Sequence, residues 1–71
     1  MKTLALVFLP RRQLNAITGA PLKKGTVFEF RDPVTRKLYY TSVSGFRGIY
    51  YKKHKRRIHN LNWKRVHVKK R

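Results

Sequence analysis

The sequence contains no cysteine, which excludes disulfides and thiolate metal sites. It has almost no acid. Glu29 and Asp32 stand against nineteen lysines and arginines, a formal net charge of +17. Chemistry that needs paired carboxylates is excluded on that ground. A glycine-rich phosphate loop is missing too: Gly45 and Gly48 flank Phe46-Arg47 in a turn-like setting, without the loop-to-helix context. No apolar run approaches the roughly 18 residues that span a bilayer. The start, Met1–Leu9, imitates a signal peptide, but its apolar run stops at Pro10-Arg11-Arg12 with no small-residue cleavage site, so Lys2–Leu9 reads as an interior strand rather than a secretory leader.

What is present is an unusual combination. The 71 residues are 41% hydrophobic and 13% aromatic. That is too apolar for a simple polycationic tail. Yet a domain of about 60 residues buries only about 60% of its unfolded surface, and like charges here push each other apart. The balance implies a strongly anionic partner. The charge is also uneven. Residues 1–46 hold eight basic and two acidic residues, whereas residues 47–71 hold eleven basic residues and no acid. The expected organisation is one domain, with a small β core over 1–46 and a basic extension over 47–71.

The fold class expected is mostly β, a small antiparallel meander or hairpin core with a basic C-terminal extension. Leu4, Leu6 and Phe8 share one face of a first strand at period two. Residues 13–25 contain Asn15, Gly19, Pro21 and Gly25 and read as loop. Thr26–Arg31 and Lys37–Val43 form a hairpin around Asp32-Pro33-Val34-Thr35-Arg36, where Asp suits the first turn position and Pro presets φ at the second. After Ser44–Gly48, Ile49-Tyr50-Tyr51 can add a third strand. Leu61 and Trp63 share one parity and Val66 and Val68 the other, which fits a terminal strand with a bulge near Lys64-Arg65. A helix across Lys52–Ile58 is an open alternative.

No catalytic or metal site is expected, and no cofactor or small-molecule substrate. Glu29 alternates with Phe28 and Phe30 and reads as solvated or ion-paired; Asp32 is explained by the turn. His54, His59 and His67 sit among cations that oppose a metal ion. An RNase-type use of these histidines is the less favoured reading, since no group that would orient them is identifiable. The favoured reading is nucleic-acid binding. Arg47, Tyr50, Tyr51, Lys52, Lys53, His54, Lys55, Arg56, Arg57, His59, Asn60, Lys64, Arg65, Lys69, Lys70 and Arg71 are the candidate contacts. Cations neutralise phosphates and release counterions, while Tyr, His and Arg planes stack on unpaired bases. Trp63 is expected in the core. The absence of heptads and zinc fingers, with a β-rich pattern, favours RNA over DNA.

Ile17-Thr18-Gly19, Lys55-Arg56-Arg57, Asn60-Leu61 and Arg65-Val66 together resemble the bacterial-type large-subunit ribosomal protein family numbered twenty-eight. Phe30–Lys37 looks like a strand of the ribosomal family numbered thirty-three. The two likenesses share only the class. They imply a structural constituent of a ribosome, bacterial or mitochondrial, whose partners are ribosomal RNA and neighbouring ribosomal proteins. A small phage or bacterial nucleic-acid-binding regulator is the alternative.

Overall fold

The computed structural model describes residues 4–55 and 61–71. The fold is mostly β. Strands β1 (Ala5–Leu9), β2 (Gly25–Arg31), β3 (Leu38–Thr41) and β4 (Asn62–Lys70) form one mixed sheet, and helix α1 (Phe46–His54) lies between β3 and β4 in sequence. The sheet order is β1-β4-β2-β3. β1 runs parallel to β4, from Ala5↔Val66 to Leu9↔Lys70. β2 pairs antiparallel with both neighbours, with Phe28 opposite Thr41 on one side and Arg65 on the other.

The β2–β3 hairpin forms where local chemistry demands it. The Asp32 carboxylate oxygen Oδ1 accepts hydrogen bonds from the Val34 and Thr35 amides at 2.7 and 3.2 Å. The Arg36 amide donates to the Asp32 carbonyl at 2.8 Å, and Arg36 closes the loop in the left-handed region at φ 64°. The preceding loop, residues 10–24, is organised around buried Asn15. Its Oδ1 accepts from the Ile17 amide at 2.9 Å and from the Thr41 hydroxyl at 2.7 Å. Gly19, at φ 76°, supplies the left-handed step whose amide returns to the Asn15 carbonyl. The Ala16 amide donates to the Tyr40 carbonyl at 2.9 Å, so this loop protects the outer edge of β3.

Both faces of the sheet are used. On one face Leu9, Val27, Tyr40, Val66 and Val68 pack with Leu22 from the loop. On the other, α1 sets Phe46 and Tyr50 against Phe30, with Leu61 beside them. The ring centroids of Phe46, Tyr50 and Tyr39 lie 4.9, 5.1 and 5.5 Å from that of Phe30. Such ring pairs add about 0.5–1.5 kcal/mol each beyond area burial. The Tyr50 hydroxyl donates to Asp32 Oδ2, tying α1 to the hairpin turn.

Several expectations are corrected. Ile49-Tyr50-Tyr51 is helix, not a third meander strand, because Phe46 and Tyr50 at i, i+4 share the face that meets Phe30. The helix starts well before Lys52 and ends at His54, with Lys55 left-handed and its amide donating to the Lys52 carbonyl. Lys52, Lys53 and His54 suit its negative end. No bulge interrupts β4: the register runs unbroken from Gly25↔Val68 to Arg31↔Asn62. The two parities of Leu61/Trp63 and Val66/Val68 simply serve the two faces. The sheet is mixed rather than a purely antiparallel meander. β4 lies between β1 and β2, so the basic residues after 46 include an interior strand.

Candidate nucleic-acid interface

Both acids work inside the fold. Asp32 is buried at the hairpin turn and takes the Tyr50 hydroxyl. Glu29 points to the face opposite Phe28 and Phe30. There it accepts the Tyr40 hydroxyl at 2.9 Å and lies 3.8 Å from Lys64 Nζ. With the Lys64 side chain 61% exposed, water screens that ion pair to at most about 1 kcal/mol. Two acids cannot balance nineteen cations, so the positive charge is directed outward.

Burial, and then the hydrogen bond to Glu29 and its charge, pushes the Tyr40 phenol up to about 12; Arg31 opposes this weakly. Folded Tyr40 therefore keeps its proton where the unfolded phenol, at about 10, loses it. The sign is destabilising with rising pH: the contribution is complete below about pH 10 and is lost between about 10 and 12. Denaturant titrations across that window should show wild type losing stability relative to Tyr40→Phe. An equal pH dependence in both proteins would contradict the upward shift of the Tyr40 phenol.

The expected contact residues divide into groups. Lys52, Lys53, His54 and Lys55 are exposed at the end of α1, with the His54 ring 4.3 Å from that of Tyr50. Arg47 is exposed one turn earlier and its guanidinium lies over the Trp63 ring at 5.5 Å. Arg65 lies over Phe28 at 5.6 Å, and Lys69 is exposed on the same face of β4. Lys64 and Lys70 take the other face. Lys70 Nζ donates to the Arg11 carbonyl at 3.4 Å, and the Arg71 carbonyl accepts from Arg11 Nε at 2.9 Å. Arg56, Arg57, His59 and Asn60 lie outside the described residues. Two assignments change. Tyr50 is only 3% exposed and is a core residue, so its ring does not offer a free stacking face. Tyr51 is half-buried against the same aromatic cluster.

Trp63 changes in the other direction. It was expected in the core but is 43% exposed. Phe28 and Phe46 meet it edge-on at 5.6 and 6.1 Å, which fixes the indole while leaving much of it open. Leu6 and Phe8 are likewise 50% and 52% exposed; the buried side of β1 is that of Val7 and Leu9. The shared face of Leu4, Leu6 and Phe8 thus points outward. Sequence reasoning missed these positions, as well as Arg11 at the sheet end. The signal was the alternation Trp63, Arg65, His67, Lys69 against buried Val66 and Val68, which the expected bulge concealed.

Among the described residues, no group of three or more His, Cys, Asp or Glu could hold a metal ion. Comparison with known proteins finds no matching family model, no similar curated protein and no similar solved structure.

Proposed function

We propose that this protein binds RNA as a structural component of a ribonucleoprotein particle, first of all the ribosome. The observation that carries the reading is electrostatic. The chain's two carboxylates are engaged within the fold, while cations line the end of α1 and both faces of β4. An anionic polymer is the partner that such a surface accommodates, since it neutralises many charges at once and releases its own counterions. The sheet and helix hold the cations in fixed register, so RNA segments brought against them are cemented together. Ribosomal RNA and adjoining ribosomal proteins are the partners this reading entails. Its histidines act as contacts rather than as acid and base.

The test is co-sedimentation with ribosomal particles at low ionic strength. The protein should remain bound there and be released as the salt is raised. Replacing Lys52, Lys53 and Lys55 by Gln should weaken RNA binding and make its salt slope shallower by about three. Replacing His54, His59 and His67 by Gln should leave most binding intact. Complete release from particles together with RNA cleavage that the histidine variant abolishes would replace this reading with an RNase.

A further inference from the structure

We propose that the uncovered half of the helix-bearing sheet face is a platform for single-stranded RNA, with unpaired bases stacked on Trp63 and Phe8 and phosphates held by Arg47, Arg65 and Lys69. The proposal rests on the RNA-binding reading and specifies which form of RNA that surface takes.

The geometry begins with α1, which covers Phe28 and Phe30 and reaches Trp63 through Phe46 and Arg47, but leaves Leu6 and Phe8 of β1 and Arg65 and Lys69 of β4 exposed on this side. Side chains on one face of a strand recur about every 6.7 Å. Trp63, Arg65 and Lys69 therefore form a row along β4. The parallel register sets Phe8 beside Lys69 and Leu6 beside His67, one strand spacing away. The result is an apolar lane on β1 next to a cationic lane on β4, with Trp63 and Arg47 at one end. A nucleic-acid strand has the same two-lane character: base faces on one side and phosphates on the other.

Three physical points select the occupant. A second copy of this chain would bring another formal charge of +17 against the same row. Duplex RNA offers phosphates but keeps its base faces stacked, so half-exposed indole and phenyl rings gain nothing from it. Unpaired bases satisfy both lanes at once. Trp63 is held in place by T-shaped contacts with Phe28 and Phe46, and the Arg47 guanidinium now over its ring is the group a stacking base displaces and that then meets the phosphate.

Trp63 is the single tryptophan of the chain, which makes its fluorescence a direct report on the platform. Full-length protein would be titrated with a short unstructured oligouridine and with an RNA duplex of equal length. The oligouridine should quench Trp63; the duplex should bind with little quenching. Phe8→Ala and Trp63→Phe should each weaken oligouridine binding, the alanine variant by about 5- to 150-fold, and leave duplex affinity unchanged. Phe8 is half-exposed and Trp63→Phe retains a ring, so both variants should keep the wild-type circular dichroism. Binding of both RNAs with unaltered Trp63 emission and wild-type affinity in both variants would overturn the platform while leaving general RNA binding standing. Failure to bind either RNA would overturn both. Emission that shifts with protein concentration alone would assign the face to self-association and overturn the platform.

Discussion

Raising the salt from about 50 to about 200 mM should weaken RNA binding about 10³- to 10⁵-fold. That range corresponds to roughly 6–10 phosphates neutralised, each releasing a condensed counterion. The expectation follows from where the charge lies. Glu29 and Asp32 turn inward to Tyr40, Lys64, the hairpin amides and Tyr50, so they do little to shield the exterior. The exposed cations at the end of α1 and along β4 number enough for contacts in that range. Fluorescence anisotropy at stepped salt concentrations measures the slope directly. A flat titration would sink the RNA-binding reading and point to a protein partner held by apolar contact instead.

Phe30→Ala should unfold the domain or bring it to the edge of unfolding. Phe30 is completely buried and touches Tyr39, Phe46 and Tyr50. Truncating a buried phenylalanine costs about 3–5 kcal/mol. A native domain has about 0.05–0.15 kcal/mol per residue in total, so a chain of this length has little beyond that to lose. Self-repulsion among the cations narrows the margin further. Phe30→Leu, which refills most of the space, should fold with a lowered melting temperature. Bound RNA should partly rescue Phe30→Ala, because a ligand that binds the folded form stabilises it in proportion to the logarithm of its concentration. Thermal melts by circular dichroism, with and without RNA, measure both effects. A loss below about 1 kcal/mol would show that the helix does not depend on this contact.

The parts legible from sequence are those decided within a few residues. Asp32-Pro33 announces its turn because the Asp side chain bonds amides two and three positions on. The flanking strands follow from the alternation of Val27, Phe28, Glu29 and Phe30, and the same alternation placed Glu29 away from the phenylalanines. The terminal strand was legible too, although its assumed bulge was not real. The helix was not legible. Phe46–His54 carries Gly48, a run of aromatic residues and no N-terminal side-chain cap, so local preference is weak. It is helical because Phe46 and Tyr50, one turn apart, both land on Phe30.

By itself, then, the sequence determined the net charge, the absence of thiol and paired-carboxylate chemistry, the β2–β3 hairpin and the β character of both ends. Each depends on composition or on neighbours in the chain. Only the tertiary structure decided the strand order, which side of β1 is buried, and the opposite fates of Tyr50 and Trp63. All three turn on one long-range arrangement. β4 inserts between β1 and β2, and α1 is long enough to cover one half of the resulting face and not the other. Two aromatic residues are separated by that boundary: Tyr50 points from the helix into the core and holds it together, and Trp63 on β4 lies at the helix rim, 43% exposed.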